Sequence, residues 1–335
     1  MKALVLHGPG SYSVEERWPD PIPSPGWALV RVHYAGICGS DLPRFATTGS
    51  YHHPMVLGHE FSGTIVTPAQ GSSRFPAGAR IAAFPLIPCS TCASCRCGEP
   101  FHCANYQFLG SRNDGGFAQL CAVPEQNLFA LPSGVDLRFG AMIEPMAVAL
   151  HVVRRSQFQA GQTALVFGAG AIGLLVALWL RKFGAERVVV ADLRTESLKL
   201  AKELGFKEVL NVEGEEPSGP FDTTFEAAGS ARALASAIKH THDKGTVTVV
   251  GRDTADTLLP HLVFEQLMRK ELHLMGCWGY NLQGDELVLH DTLASRTFPL
   301  ERLITKEIDL SMAPTTIEQM ILKRFHFCKV MLRIE

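Results

Sequence analysis

The chain has 335 residues, of which 46% are hydrophobic and 19% are charged, and its formal net charge is −2. This length predicts about two domains, and with no Lys/Arg-rich run we expect no nucleic-acid partner. The longest apolar stretch, "AIGLLVALWL" at 171–180, is about half as long as a membrane-spanning helix. Since the N-terminus also lacks a signal-peptide pattern, we expect no membrane partner and a cytoplasmic protein.

The first 150 residues are rich in glycine, proline and β-branched residues, a pattern typical of short strands separated by turns. The expected strands are "ALVL", "ALVRVHYAG", "FSGTIV", "RIAAFPLI" and "FAQLCAVP". The sequence therefore predicts a β-rich domain over residues 1–150.

Strand and helix patterns alternate from about residue 160 onward. "TALVFGAGAIGLLVALWLRKFGAERVVVAD" predicts strand, glycine turn, helix and strand, with the helix ending near Gly184. "TESLKLAKELGF" predicts a further helix with a capping start at Thr195. "DTTFEAAG", "ALASAIKHT" and "GTVTVVG" continue the alternation. The pattern indicates an α/β fold with a doubly wound parallel sheet over 151–284, and the tail over 285–335 predicts helix, helix and strand.

Five of the nine cysteines lie in "CSTCASCRCGEPFHC", residues 89–103. Four of them follow the spacing C-x2-C-x2-C-x7-C: Cys89, Cys92, Cys95 and Cys103. Two-residue gaps let a tight turn direct successive thiolates to one point, and four sulfurs complete a tetrahedral zinc site. Iron–sulfur ligation and free thiols are the alternatives, but the C-x2-C-x2-C-x3-C-P run of ferredoxins is missing. We therefore predict a structural zinc site. Cys97, the remaining cysteine of the stretch, is not one of its ligands.

A second metal site is predicted from Cys38 in "GICGSD", His59 in "LGHEFSG" and Glu144 in "AMIEPMAV". Cys38 and His59 each end an apolar, strand-like run beside a glycine, where a side chain can turn toward a cleft. Glu144 is acidic within an otherwise apolar stretch, and a buried carboxylate needs a partner such as a metal. Three protein ligands leave one coordination position open, which is the arrangement of catalytic zinc.

Three neighbours of these ligands are candidate catalytic residues. Zinc lowers the pKa of a bound hydroxyl, and Ser40 is placed to take the proton of an alcohol. Asp41 is placed to orient the imidazole of His59. For Glu60 the sequence leaves three roles open, namely a ligand, an exchanging ligand or a neighbour.

The stretch "VFGAGAIG" supplies Gly168, Gly170 and Gly173 as G-x-G-x-x-G between a predicted strand and a predicted helix. Asp192 ends the next strand, about twenty residues on, as in dinucleotide-binding folds. The helix N-terminus would hold the anionic phosphates, and Asp192 would accept hydrogen bonds from the adenosine ribose. A 2′-phosphate would meet a carboxylate there, so we expect NAD rather than NADP, a preference that the nearby Arg194 would soften.

These motifs together resemble the zinc-dependent medium-chain dehydrogenases over essentially the whole chain. The resemblance rests on "GICGSD", "GHEFSG", the four-cysteine stretch, "IEP", "GAGAIG" and Asp192. The glutamate of "IEP" is typical of the polyol branch. Within that branch, "CGSDLPR" (38–44) and "FLGSRNDGGFA" (108–118) look most like the enzymes that act on galactitol 1-phosphate.

The resemblance implies a GroES-like catalytic domain formed by residues 1–150 with 285–335, a Rossmann domain over 151–284, and an active site in the cleft between them. It implies the same zinc ligands as above. Cofactor contacts are implied at Ile172, Val250–Gly251 and Gly276–Cys277–Trp278, and a homodimer or homotetramer is expected. The family pattern differs here at four positions. Pro43 replaces a relay histidine, and Ser197 replaces an arginine for which Arg194 would stand in. Ala69 and Ala79 replace a glycine and an aspartate of the catalytic domain's framework.

The predicted reaction is oxidation of a secondary alcohol of a polyol to a ketose, with hydride transfer to NAD. A phosphorylated substrate such as galactitol 1-phosphate would need cationic donors, and Arg44 and Arg112 lie in the two stretches named above. Each arginine is at least as well explained as a solvated or structural side chain. The alternatives are a dehydrogenase of a free polyol (sorbitol or xylitol) or of L-threonine, and a non-catalytic scaffold or sensor that binds zinc and NAD.

Overall fold

The structure is a computed structural model that describes residues 1–72, 74–252, 256–282 and 284–334. The chain divides into two compact units, Met1–Glu144 together with Gln283–Glu335, and Pro145–Leu282. Among the described residues, no helix has both the length and the apolar character needed to cross a bilayer.

The N-terminal part is built mainly of short strands. Its strands are β1 (Ala3–Gly8), β2 (Ser11–Glu15), β3 (Trp27–Ile37), β4 (Met55–Val56), β5 (Glu60–Thr67), β6 (Arg80–Ala83), β7 (Leu86–Ile87), β8 (Gln107–Phe108), β9 (Leu120–Pro124) and β10 (Leu128–Ala130). Its helices are α1 (Asp41–Pro43), α2 (Ala93–Arg96), α3 (Leu137–Gly140) and α4 (Ile143–Arg155), the last of which continues into the second unit.

The second unit alternates strands and helices. Its strands are β11 (Thr163–Phe167), β12 (Arg187–Asp192), β13 (Glu208–Asn211), β14 (Phe221–Glu226), β15 (Thr241–Val249) and β16 (His273–Gly276). Its further helices are α5 (Ala171–Lys182), α6 (Thr195–Glu203), α7 (Ala231–Lys239) and α8 (His261–Arg269). The six strands pair in parallel in the order β13-β12-β11-β14-β15-β16. This order is that of a doubly wound sheet, so the predicted fold class is confirmed.

The C-terminal segment returns to the first unit as α9 (Glu286–Ala294), α10 (Leu300–Leu303), β17 (Ile304–Asp309), α11 (Ala313–Ile321) and β18 (Lys329–Arg333). β18 pairs with β3 in a sheet ordered β10-β6-β5-β3-β18-β17, in which β9 also pairs with β3. Alternate apolar residues of these strands form one buried core, because side chains of a strand point to opposite faces in turn. β18, the last strand of the chain, is thus separated from β5 only by β3.

Three local predictions differ from the structure. "RIAAFPLI" forms two short strands, β6 and β7, and the tail contains α10 and β17 in addition to the predicted elements. Thr195 is the first helical residue of α6 and not its cap, since Arg194 occupies the N-cap position without a side-chain cap. The Asp192 carboxylate accepts the backbone N–H of Arg194 at 2.8 Å instead, and so stabilises the turn that begins the helix.

Candidate active site

Two neighbouring strands bring Cys38 and His59 to one point. Cys38 follows β3 directly, while His59 precedes and Glu60 begins β5, the antiparallel neighbour of β3. One ligand atom from each of Cys38, His59 and Glu60 lies within 4.8 Å of the other two. We name these residues the Cys38–His59–Glu60 cluster. A thiol, an imidazole and a carboxylate at this spacing form a donor set that suits zinc.

Asp41 contacts two of the predicted zinc ligands, Cys38 and His59. Its side chain is fully buried, and its Oδ2 accepts the backbone N–H of Cys38 at 3.1 Å. Its Oδ1 lies 3.4 Å from Nδ1 of His59. Burial alone would lower the pKa of His59, but the charges of Asp41 and Cys38 raise it well above its ordinary value. With Nδ1 facing Asp41, Nε2 is the ring nitrogen that remains for a metal.

Glu60 forms an ion pair with Lys329 that the sequence analysis missed. Lys329 Nζ donates to Oε1 and Oε2 of Glu60 at 2.7 and 2.6 Å, and both residues are at most 3% exposed. Burial alone would lower the pKa of Lys329, but the Glu60 carboxylate raises it. The only hint in the sequence is a lysine that begins the apolar run "KVML".

Gly36 makes this ion pair possible. It lies on β3, between the strands that carry Glu60 and Lys329, and pairs directly with Glu60. A Cβ on Gly36 would collide with the Glu60 carboxylate. The glycine therefore lets the carboxylate lie across β3 and reach the lysine on β18.

Glu144 lies beside the cluster but outside it. It is in the first turn of α4 and 7% exposed. Burial raises the pKa of Glu144 to about 7, with the charge of His59 acting against the shift and that of Glu60 adding to it. In the part of the chain that the structure describes, Glu144 does not join the three residues that meet within 4.8 Å. The sequence predicted Glu144 as the third ligand, whereas the carboxylate that meets Cys38 and His59 within 4.8 Å is that of Glu60.

Ser40 and Phe108 lie next to the cluster. Ser40 is exposed and occupies the N-cap position of α1, two residues after Cys38. The ring of Phe108 meets the His59 ring edge to face, with 5.8 Å between centroids. Phe108 belongs to the second of the two polyol-type stretches, but the sequence analysis did not select it, since an aromatic residue in a strand is common.

The four clustered cysteines meet as their spacing predicted. The Sγ atoms of Cys89, Cys92, Cys95 and Cys103 all lie within 4.8 Å of one another. The Sγ of Cys95 is 3.5 Å from that of Cys92 and 4.0 Å from that of Cys89. Sulfurs around a tetrahedral zinc with bonds of about 2.3 Å lie about 3.8 Å apart. These separations fit zinc, and all nine cysteines are free of disulfides.

The glycine loop joins β11 to α5 at the carboxyl edge of the parallel sheet. Gly168 has φ +102°, a left-handed conformation that favours glycine, and a Cβ there would lie 2.7 Å from the backbone carbon of Ala227. A Cβ on Gly173 would overlap the carbonyl of Gly168. Gly170 is the N-cap of α5 in an extended conformation. The helix N-terminus is therefore open to a pyrophosphate.

Asp192 lies at the end of β12, next to this loop. Its Oδ2 accepts the backbone N–H of Ala169 at 2.7 Å, and its Oδ1 lies 3.4 Å from Nε of Arg194. The other residues selected as cofactor contacts follow the same edge: Ile172 in α5, Gly251 after β15, and Cys277 after β16. Ligands of open parallel sheets bind at this edge, near the point where the strand order reverses.

The two arginines selected for a phosphate both lie near the ring of Tyr51. The Arg44 and Arg112 guanidinium carbons lie 5.7 and 4.0 Å from the ring centroid of Tyr51, and Arg112 also lies 4.4 Å from that of Tyr106. The sequence analysis missed both tyrosines, because nothing in the local sequence links position 51 to position 112.

Two family models match the chain. Residues 24–133 match the alcohol dehydrogenase GroES-like domain, and residues 171–295 match the zinc-binding dehydrogenase domain. The chain is 35% identical to galactitol 1-phosphate 5-dehydrogenase of Escherichia coli K12 over 83% of both proteins. It is 32% identical to sorbitol dehydrogenase of Bos taurus over 90% of both.

Solved structures show the same fold along the whole chain. Galactitol-1-phosphate dehydrogenase from Escherichia coli has a TM-score of 0.92 at 30% identity, covering 99% of this chain and all of that one. A zinc-binding dehydrogenase from Sinorhizobium meliloti 1021 bound to NADP has 0.91 at 29%, covering 99% and 98%. A structure described as a short chain alcohol dehydrogenase from E. coli CFT073, complexed with NADH, has 0.89 at 29%, covering 100% and 99%.

Proposed function

Because the chain belongs to the polyol branch of the zinc-dependent medium-chain dehydrogenases, oxidoreductases that use zinc and a nicotinamide dinucleotide, we propose that it oxidises a sugar-alcohol phosphate. The substrate is of the type of galactitol 1-phosphate, and the product is the corresponding ketose. The observation that carries this proposal is the pair of arginines, Arg44 and Arg112, on one tyrosine ring in the same unit as the Cys38–His59–Glu60 cluster.

The catalytic zinc would be held by Cys38, His59 and Glu144. Both oxygens of Glu60 already contact Lys329, which favours Glu144 as the third ligand. Glu60 would then act as a charged neighbour whose position the lysine fixes. A closed four-cysteine site has no open position and would be structural, held by Cys89, Cys92, Cys95 and Cys103.

The residues around this site would move one proton and hold the imidazole in place. Zinc bound there supplies Lewis-acid chemistry that lowers the pKa of the substrate hydroxyl. The exposed Ser40 hydroxyl would accept that proton and pass it to water. Asp41 would hold Nδ1 of His59 and, through the N–H of Cys38, the start of the ligand loop. The hydride of the alcohol carbon would pass to NAD.

The expected substrate preference is tested with a matched panel of galactitol 1-phosphate, galactitol, sorbitol, xylitol and L-threonine. Charge-assisted hydrogen bonds from two guanidinium groups should raise kcat/KM for the phosphorylated polyol at least about tenfold over free galactitol. NADH formation by the zinc-loaded protein measures this. The control variant is Arg74→Gln, which removes an exposed arginine that also stacks on an aromatic ring, Phe75. Because Arg74 is not one of the two proposed phosphate donors, this variant should keep the wild-type preference for galactitol 1-phosphate over galactitol.

Preference for a free polyol would contradict the phosphate assignment and favour the second candidate function, a sorbitol- or xylitol-type dehydrogenase. The 32% identity to sorbitol dehydrogenase supports that candidate. Binding of NAD without turnover of any substrate in the panel would favour a scaffold or sensor.

We expect NAD to be preferred over NADP because Asp192 would face a 2′-phosphate with its carboxylate. Replacing Asp192 by serine removes this repulsion and leaves Arg194 free to contact the phosphate. The ratio of kcat/KM with NADP to that with NAD should therefore rise about tenfold to a hundredfold. Glu196→Gln, which neutralises an exposed acid in the first turn of α6, is the control and should not change the ratio. An unchanged ratio in the serine variant would contradict the assignment of Asp192.

We also propose that the enzyme is a cytoplasmic homodimer or homotetramer. Nine free cysteines, four of them at metal spacing, are typical of a reducing compartment. Self-association is supported by exposed apolar side chains on α8 and on or just after β16, the edge strand of the parallel sheet: Leu262, Phe264, Met268, Leu274 and Trp278. Exposed apolar groups of this extent commonly mark protein interfaces.

A further inference from the structure

Two surface segments of the first unit are joined side by side. Residues 44–56, here called the arginine loop, follow α1, and residues 106–114, here called the Phe108 turn, contain β8. The Ser50 hydroxyl donates to the carbonyl of Ser111 at 2.6 Å, and His52 Nε2 lies 3.1 Å from the carbonyl of Arg112. The N–H of Val56 donates to the Asp114 carboxylate at 2.8 Å. Three separate hydrogen bonds thus hold the segments in register.

Two tyrosine rings, one from each segment, pack against the Arg112 guanidinium group. Its central carbon lies 4.0 Å from the Tyr51 centroid and 4.4 Å from the Tyr106 centroid. The Nε of Arg112 is buried, and within the described part of the chain it has no hydrogen-bond partner. A planar guanidinium that stacks on rings can still donate in its own plane to a planar or tetrahedral anion, beside the hydrogen bonds that Arg112 makes to the side chains of Tyr106 and Tyr51. The stacking also reduces the rotamer freedom that binding would otherwise remove.

A second cation approaches the same ring. The Arg44 guanidinium lies 5.7 Å from the Tyr51 centroid, and its Nη1 is 3.5 Å from the carbonyl of Gly49, within the arginine loop. The two guanidinium groups carry the same charge, and an anion placed between them would lower their mutual repulsion. A phosphate monoester, with close to two negative charges and three acceptor oxygens, can accept from both at once.

The Phe108 turn connects this pair of arginines to the metal cluster. The backbone N–H of Arg112 donates to the carbonyl of Phe108 at 2.9 Å. The Phe108 ring in turn contacts the ring of His59. One short turn therefore carries an aromatic contact to a predicted zinc ligand at one end and the arginine at the other.

We propose that Tyr51 and Tyr106 are positioning residues of a phosphate subsite formed by Arg44 and Arg112, and that they set the preference for phosphorylated over free polyols. This inference rests on the proposed function and adds the two tyrosines to it. The positioning is assigned to the rings, whose faces lie against the Arg112 guanidinium group. Hydrogen bonds to the Tyr106 and Tyr51 side chains also raise the pKa of Arg112, so the phenylalanine variants below separate the part of the ring from that of the hydroxyl. Tyr51 is 60% exposed, so its replacement should cost little stability.

The test compares Tyr51→Leu and Tyr106→Leu with Tyr51→Phe and Tyr106→Phe in the zinc-loaded enzyme. Two quantities are measured: the dissociation constant of inorganic phosphate, by ³¹P NMR titration, and the ratio of kcat/KM for galactitol 1-phosphate to that for galactitol. Loss of stacking should weaken phosphate binding and lower the ratio, each about tenfold, in the leucine variants. The phenylalanine variants keep the ring and should stay within twofold of the wild type. Zinc content and the melting temperature check that each variant is folded.

Wild-type phosphate affinity and ratio in both leucine variants would overturn the inference. So would phenylalanine variants as weak as the leucine variants, since the hydroxyls would then be the active groups. The failure of the substrate assignment can be distinguished from the failure of the phosphate subsite. If the wild type shows no preference for the phosphorylated polyol but binds inorganic phosphate more tightly than the leucine variants do, the subsite stands and the substrate assignment fails.

Discussion

Replacing Lys329 by methionine should lower the free energy of unfolding by about 3–5 kcal/mol, because it leaves the Glu60 carboxylate buried without its cation. Glu60 is 1% exposed, and Lys329 Nζ contacts both of its oxygens at 2.7 and 2.6 Å. Water cannot replace the lost ammonium group at such a position. The loss is measured as the shift of the first transition in urea unfolding of the zinc-loaded protein.

Two further variants show whether the unpaired carboxylate causes this loss. The double variant Lys329→Met with Glu60→Gln removes both charges and should recover much of the stability. Lys239→Met breaks the ion pair between Lys239 and Glu216, whose two side chains are 52% and 72% exposed, respectively. This variant should lower the free energy of unfolding by at most about 1 kcal/mol. A Lys329→Met variant as mild as Lys239→Met would show that the buried pair contributes no more than a surface pair.

Replacing Cys38 by alanine should lower turnover about 10³-fold and reduce bound zinc from two ions per chain to one. The variant removes the only thiol from the Cys38–His59–Glu60 cluster, so the proposed catalytic zinc loses one of three protein ligands. Lewis-acid stabilisation by a metal contributes several kcal/mol to the barrier, and each 1.36 kcal/mol is tenfold in rate. Metal analysis and NADH formation by the same preparation measure both effects.

The cysteine-rich stretch provides matched controls. Cys97→Ala removes an exposed cysteine outside both metal groups and should keep both zinc ions and full turnover. Cys92→Ala should lose the other zinc ion and destabilise the 89–103 loop. If Cys38→Ala retains full turnover and two zinc ions, Cys38 is not a ligand and the proposed site is wrong.

The features that the sequence determined by itself are those made within one short segment. The spacing of Cys89, Cys92, Cys95 and Cys103 was enough to predict that four thiols meet, because a few tight turns cannot separate them widely. The glycines of 168–173 were enough to predict a strand, a turn and a helix, because that turn requires a backbone without Cβ. The alternation of strands and helices was enough to predict the parallel sheet.

The features that only the tertiary structure decided join segments distant in the chain. Glu60 and Lys329 are 269 residues apart, and they meet because β18 returns to pair with β3, and because Gly36 on β3 leaves room for the carboxylate. Tyr51 and Arg112 meet because the arginine loop and the Phe108 turn are hydrogen-bonded to each other. Sequence spacing describes neighbours along the chain, whereas strand pairing decides which distant side chains are buried side by side. A charged group needs a specific partner only where it is buried, so such pairs are decided by the tertiary structure.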